Sequence, residues 1–450
     1  MLRGTIHIRK ISSVPKFYDV VIVGGGMVGN AMAASLGSSP ALKSSTILLL
    51  EAGKEPQLVK GNELYSNRVS AVSPLSVNLF KKLSIWECLE GNRVQPVREM
   101  RVLDDASQSN IFFEQKNDGQ QIAHIIENNA IIGSLFNRLK EFENISVQTG
   151  AKVDDIKVPE SIGKLAEITM TDGSQINTNL VIGADGFNSS VRKAINTEYT
   201  AWNYDQMGIV CTLNIKSEVN DTAWQRFTPL GPLALLPLNK NLSSLVWTTS
   251  PAEAKRLLAL SEDEFVDELN RHLQTETNQN SLVNQALFML EKVTSSLPLG
   301  EAARAATLAC GTRIPEVISL QSDTRAAFPL GFGHAHDYVA PRAALIGDAG
   351  HRMHPLAGQG VNLGWSDVEK LTNVIETCIS EGGDIGSLTY LREYQDAAQK
   401  HNLPVMVSVD WLNRLYGSNL TPVVLARSLG LYAVNKLTPL KDLIMYKASH

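Results

Sequence analysis

Two separated stretches of the chain hold residue types whose spacing could do chemistry. In the first, an apolar run from Tyr18 to Val23 ends on Gly24-Gly25-Gly26 with Gly29 following, and Glu51 stands 22 residues after Gly29 at the end of the next apolar run. Gly24 permits a tight turn, Gly26 lets backbone amides approach a pyrophosphate, and Gly29 lets the following helix pack on the sheet. A carboxylate at the position of Glu51 can accept from adenosine ribose hydroxyls. In the second stretch an apolar run ends on Gly347-Asp348, and ten residues later Gly358-Gln359-Gly360 opens a helix near Val361. A strand-end carboxylate can bind a sugar-like hydroxyl. The N-H groups of a helix start near Val361 can stabilise negative charge on a ring that gains electrons, with Asn362 adding a side-chain contact. Those two tasks are what holding a flavin requires, so the pair of stretches reads as an FAD site.

Each signal has a plainer counterpart. A chance glycine turn with a surface glutamate would produce the first pattern, and Gly-Asp after a strand is ordinary turn chemistry. The strand-turn-helix context of the first, and the glycine run after the second, favour the ligand reading. His351 and His354 form H-x-x-H, but no third ligand lies near in sequence, so they read as structural and no metal is expected. Arg68, in Ser66-Asn67-Arg68-Val69-Ser70-Ala71, reads on its own as a solvated charge. The G-x-S-x-G nucleophile elbow is absent, which leaves a hydrolase without a nucleophile.

The elements that must carry these residues follow from periodicity. Residues 18–51 read as a βαβ unit, Leu75–Leu89 as one helix after Pro74, Met100–Leu103 and Asn110–Phe113 as a hairpin, and 122–141 as a helix. Short strands at 145–153, 166–170 and 179–183 lead into Asp185 to Arg192. Longer strands at 207–215, 232–238 and 242–249, with an acidic helix near 262–273, suggest an antiparallel sheet. The expected fold is α/β: a doubly wound FAD-binding domain, an antiparallel β-sheet substrate domain, and a helical C-terminal region. The expected boundaries are a leader at 1–17; the FAD-binding domain at 18–95, 122–198 and 335–400; the substrate domain at 96–121 and 199–334; and the helical region at 401–450.

Composition narrows the class. The 450 residues, 44% of them hydrophobic, suit a globular enzyme, and the net charge of −5 gives no basic field for nucleic acid. Cys88, Cys211, Cys310 and Cys378 lie far apart, which reads as isolated thiols. The first 18 residues contain Arg3, Arg9, Lys10 and Lys16 with no acid, the pattern of a mitochondrial targeting leader. No stretch reaches the roughly 18 consecutive apolar residues of a membrane span.

Taken in order, the Gly24–Glu51 fingerprint, the Asp185–Arg192 segment and the Gly347–Gly364 segment resemble the single-component flavin monooxygenases with the para-hydroxybenzoate hydroxylase fold. The likeness covers nearly the whole chain. Within that family, the run His354-Pro355-Leu356-Ala357-Gly358-Gln359-Gly360 through Gly364, with the basic leader, is similar to the mitochondrial ubiquinone-biosynthesis hydroxylases. The resemblance implies that Glu51 holds the adenosine ribose and that Arg68 and Asp185 sit near the FAD phosphates. It also implies that Asp348 binds the ribityl chain and that Pro355, Gly358, Gln359, Gly360, Val361 and Asn362 border the isoalloxazine. Gly350, where alanine is common, and Phe187, where a small residue is usual, depart from the pattern without removing a contact. The expected activity is hydroxylation by O2 of a polyprenylated phenol, at ring C5 by the resemblance. Ferredoxin and ferredoxin reductase would supply electrons, within a ubiquinone biosynthetic complex on the matrix face of the inner membrane. The alternatives are an NADPH-dependent aromatic hydroxylase or epoxidase of another substrate, and a non-catalytic FAD-binding scaffold.

Overall fold

The computed structural model describes the chain from Pro15 to Lys441, apart from residues 60, 62–63, 108, 115–120, 161–162, 275–279, 295–313, 359, 419 and 437–440. The first fourteen residues, Cys310 and Gln359 lie outside the described set.

Continuous apolar runs become buried parallel strands, because other elements pack over the sheet they form. Strand Lys16–Val23 pairs in parallel with Ile47–Glu51 on one side and Gln175–Gly183 on the other. The parallel order extends to Ile145–Thr149 beyond Ile47–Glu51 and to Ala343–Leu345 beyond Gln175–Gly183. Val20, Val21, Ile22, Leu48 and Leu49 have no exposed surface. Helix Met27–Ser38 packs on this sheet, and helices Asn128–Leu139 and Gly360–Ser380 pack against that helix. The C-terminal ends of Lys16–Val23, Gln175–Gly183 and Ala343–Leu345 therefore lie side by side, and each is followed by one of the glycine-containing turns of the sequence reading.

A nine-stranded sheet runs in the order His351–Arg352, Ala326–Ala335, Tyr199–Lys216, Leu242–Thr249, Gly231–Asn239, Thr222–Thr228, Glu99–Asp104 and Asn110–Glu114, with Glu316–Leu320 beside Tyr199–Lys216. It is antiparallel except where Thr222–Thr228 runs parallel to Glu99–Asp104. Its first strand, His351–Arg352, comes directly after the Gly347-Asp348 turn, so the two large sheets meet at that turn. Three short strands, Val69–Val72, Ala123–Glu127 and Val94–Val97, form a small third sheet.

Several expectations need correction. The 122–141 stretch is not one helix: Ala123–Glu127 is a strand and the helix starts at Asn128, because the apolar run there is short enough for either state and sheet pairing decides it. Leu75–Leu89 breaks into Pro74–Lys82 and Trp86–Glu90 around Ser84, which stands at φ 59°. The 145–153 strand is two, Ile145–Thr149 and Val153–Lys157, turning at Gly150. The leader range to residue 17 overlaps the first strand, in which Lys16 already pairs with Ile176. A boundary at 401 falls inside the continuous helix Leu388–Tyr416, which is followed by Thr421–Lys436.

Candidate active site and cofactor cleft

The first turn is built by close approach. Gly24 stands at φ +106°, and a Cβ there would lie 2.4 Å from the Ala184 carbonyl oxygen. A Cβ on Gly29 would lie 1.8 Å from the Gly24 carbonyl oxygen and 3.2 Å from the Ala184 Cβ, so Gly29 lets the helix close on the turn and on the strand ends. Around Gly26 there is open space within 4 Å, at the N-terminus of helix Met27–Ser38. Free N-H groups at such a start are suited to a pyrophosphate. Glu51 already accepts from the Gly25 and Gly53 N-H groups, each at 2.6 Å. Its carboxylate thus braces the turn, and the remaining lone pairs are what a ribose hydroxyl could use. Sequence reasoning missed Asn30, whose buried amide donates to the Gly25 and Gly26 carbonyls at 2.5 and 3.1 Å and ties the turn from the helix side. A polar residue one turn into an otherwise small, apolar helix was the available signal.

The second segment sits against the first. Asp185 follows strand Gln175–Gly183, and its Oδ2 accepts from Ser190 N-H at 2.6 Å. Its Oδ1 is buried with no partner among the described residues, and its own backbone N lies 2.8 Å from where a Gly24 Cβ would be. Arg192, also missed as a functional residue, donates to the Ala349 carbonyl at 2.7 Å and the Phe187 carbonyl at 2.5 Å, and lies 3.9 Å over the Tyr199 ring. It joins the Asp185 segment to the Gly347 turn across 157 positions of sequence.

At that turn Gly347 takes φ +59°, and a Cβ there would lie 3.2 Å from Val28 of the first helix, while a Cβ on Gly364 would come within 2.7 Å of Val28 and 3.3 Å of Gly347 Cα. The Asp348 side chain is solvent-accessible. Crowding by the surrounding turn raises its carboxyl above the ordinary range, with His351 and then Arg352 opposing. Pro355 opens a 3-10 turn closed by Gly358 at φ 61°, and helix Gly360–Ser380 begins directly after residue 359. Val361 packs on the main core, leaving its backbone N-H in the first turn of that helix.

Asn362 corrects an expectation. Its Oδ1 accepts from Ser73 N-H at 3.1 Å and Ser76 hydroxyl at 2.8 Å, and its NH2 donates to the Ala71 carbonyl at 2.9 Å and the Gly358 carbonyl at 3.3 Å. The side chain is committed to the protein, stitching the Val69–Val72 strand to the helix start, so only the backbone N-H of Asn362 faces a ligand role. Arg68 lies at the head of that strand with an exposed side chain, three positions before Ala71, which touches Gly358. The H-x-x-H pair divides. His354 Nδ1 accepts from Leu356 N-H at 3.1 Å, as a structural histidine would, whereas His351 is satisfied by the carboxylate of Asp367 at 2.6 Å rather than by backbone.

Beside the Pro355–Gly358 turn, Phe332, Met353, Leu363, Met406 and Val409 form a buried cluster, with Trp202, Tyr204 and Leu356 packed on it. Trp202 stacks on Phe332 at 4.0 Å. Burial, then the hydrogen bond to Asp410, pushes the Tyr204 phenol well above its ordinary value, so it stays protonated. The wall is apolar and aromatic. It can exclude water and hold a ring.

A dinucleotide-binding turn, an unmet acceptor at Asp185, open space at Gly26, an accessible carboxylate at Asp348 and a helix start at Gly360 converge at one edge of the sheet, and these fit an FAD molecule laid across the strand ends. The sequence profile of the FAD binding domain family matches residues 17–295 and 299–402. The chain belongs to that family and is an FAD-dependent monooxygenase of the aromatic hydroxylase type. It is 51% identical to the mitochondrial ubiquinone biosynthesis monooxygenase COQ6 of Caenorhabditis elegans, over 99% of each chain. With the protein of the same name from Homo sapiens it shares 40% identity over 97% of this chain and 94% of that one. Within the wider family it therefore belongs with the ubiquinone biosynthesis monooxygenases. Among solved structures, p-nitrophenol 4-monooxygenase PnpA of Pseudomonas putida superposes with TM-score 0.70 at 16% identity, covering 97% of this chain and 99% of that one. Klebsiella pneumoniae HpxO complexed with FAD superposes at 0.67 and 18% identity, covering 96% and 99%. These last two share the fold.

Proposed function

We propose that the enzyme hydroxylates ring C5 of a polyprenylated phenol in mitochondrial ubiquinone biosynthesis. The observation that carries the substrate class is the apolar wall: the cluster behind the Pro355–Gly358 turn continues outward to an open cavity of about 360 Å³ lined by Thr200, Trp202, Phe332, His334, His336 and Leu403. A ring held at the turn leaves an apolar path for a hydrocarbon tail, which a small soluble phenol would not need.

In this reading the N-H groups at Gly26 and the Asp185–Arg192 segment hold the pyrophosphate, Glu51 the adenosine ribose, and Asp348 the ribityl hydroxyls, with Arg68 near the phosphates. The backbone of Gly358, Gly360, Val361 and Asn362, with Pro355, borders the ring system. FAD supplies O2 activation and delivery of one oxygen atom to an electron-rich ring. The protein's own part is geometric and electrostatic: helix N-H groups favour negative charge on the reduced ring, and the apolar wall keeps water out.

Electrons come from a ferredoxin and its reductase. The chain's only G-x-G-x-x-G fingerprint is the one at Gly24, so a nicotinamide donor has no Rossmann unit of its own here. The names of the relatives support a mitochondrial location. Attachment to the matrix side of the inner membrane within a biosynthetic complex completes the reading. One assay tests it: the FAD-loaded protein with a short-tailed prenyl phenol and O2, driven either by NADPH alone or by the ferredoxin system, with the product solved by NMR. The expected result is a new hydroxyl at C5 with the ferredoxin system and little turnover with NADPH alone. A hydroxyl elsewhere on the ring removes the C5 assignment, and full turnover with NADPH alone removes the ferredoxin assignment.

A further inference from the structure

Beneath the Gly347-Asp348 turn lies a charged group that the cofactor reading leaves unused. Asp367, on helix Gly360–Ser380, has no exposed surface. Its Oδ2 accepts from Gly347 N-H at 2.9 Å and meets His351 Nε2 at 2.6 Å, and its Oδ1 accepts from the Asn402 amide at 3.0 Å. His351 is 1% exposed and Asn402 fully buried. One carboxylate thus ties the turn, the short strand after it and two helices.

A buried carboxylate is costly unless donors and an opposite charge meet it. Here three donors do. Burial works against a charged imidazole at His351, but the charge and hydrogen bond of Asp367 outweigh it and the net shift is upward, so His351 keeps the proton that it donates. The peptide held by Asp367 is also the one whose glycine takes the left-handed conformation and packs on Val28, at the dinucleotide turn. Rotating that peptide would swing the Asp348 side chain and loosen the contact with Val28 together.

We propose that Asp367, with His351, is a positioning residue for the cofactor: it fixes the Gly347 peptide and so aims the Asp348 carboxylate at the ribityl hydroxyls. The inference rests on the assignment of Asp348 made above. Asp367 itself touches no part of FAD, and its effect runs through Asp348.

The test is a double-mutant cycle on FAD affinity, read by fluorescence titration of apo-protein, with Asp348→Asn, Asp367→Asn and the pair. Each single change is expected to weaken FAD about tenfold, as the loss of a hydrogen bond to a charged group does. The pair is expected to bind within about twofold of the weaker single, because both changes remove one interaction. His351→Gln, which keeps a side-chain donor, should retain more affinity than His351→Leu, a rescue that a merely structural role would not give. Multiplying losses in the pair would overturn action through Asp348. Unchanged affinity in Asp367→Asn would overturn the proposal outright. Unchanged affinity in Asp348→Asn would instead remove the ribityl assignment, and the proposal with it. Should Asp367→Asn not fold, His351→Leu combined with Asp348→Asn closes the same cycle with the same readings.

Discussion

Two histidines three positions apart are pushed in opposite directions by what faces them. His354 is buried, which lowers its pKa to about 4, with the charge of Asp410 opposing. Its Nδ1 must stay unprotonated to accept from Leu356 N-H, so a proton there would break the 3-10 turn that starts at Pro355. In the unfolded chain the ring titrates near 6.5. Its contribution to stability is therefore present above 6.5 and lost as pH falls from 6.5 toward about 4, by roughly 3 kcal/mol across that window. His351, held upward, has the opposite sign: its contribution is complete below the unfolded value and fades as pH rises through the folded one. Melting curves from pH 7 to 4 should show the wild type losing stability on the acid side more steeply than His354→Gln; parallel curves would refute the assignment. The sequence offered both histidines as equals, because Asp367 lies 16 positions from His351 and Gln206 lies 148 from His354. Asn362 has the same cause: its partners Ser73 and Ser76 are nearly 290 positions upstream.

At the level of elements, local patterns were legible wherever a single period ran long enough. The βαβ unit, the hairpin at Glu99–Asp104 and Asn110–Glu114, the strand Leu242–Thr249 and the acidic helix Glu262–Gln274 all form where the pattern placed them. The strand Ala123–Glu127 was misread because five apolar-rich residues fit either period. The C-terminal helix Thr421–Lys436 is tied to the sheet by Arg427, which donates to both oxygens of Asp104, at 2.9 and 3.1 Å, and to the carbonyls of Leu415, Tyr416 and Ser418, and by the Ser428 hydroxyl, 2.9 Å from that of Ser107. Arg427 and Asp104 are nearly inaccessible. Arg427→Ala would leave Asp104 buried and uncompensated, at about 3–5 kcal/mol. Limited proteolysis should then cut first between Tyr416 and Thr421 while FAD stays bound; simultaneous loss of FAD would show that this helix is part of the cofactor domain rather than docked on it.

For the whole molecule, the outer face of the Leu388–Tyr416 helix breaks the usual surface pattern. Leu403, Val407 and Trp411 repeat at four-residue intervals and are exposed, Trp411 by 69%, and Leu420 follows at 68%. No helix among the described residues is long and apolar enough to cross a membrane. An exposed apolar stripe suits peripheral contact with a lipid surface, which the proposed location requires. Fractionation of cells carrying three versions checks this. Removing residues 1–14, which precede the first strand, should block mitochondrial import and leave FAD binding intact. Val407→Ser with Trp411→Ser should leave import intact and move the protein from the membrane fraction to the soluble one. Import without the leader, or undiminished membrane retention of the double variant, would refute the corresponding part. The sequence by itself determined the cofactor and the family, because each glycine turn is a local object whose chemistry depends on residues within some twenty positions. Only the tertiary structure decided that the three turns share one edge, that Glu51 also braces the first of them, that the Asn362 side chain is spent on the protein, and that Asp367 lies under Asp348. Those facts depend on which distant backbone donors a folded chain brings within 3 Å, a distance that no spacing along the sequence encodes.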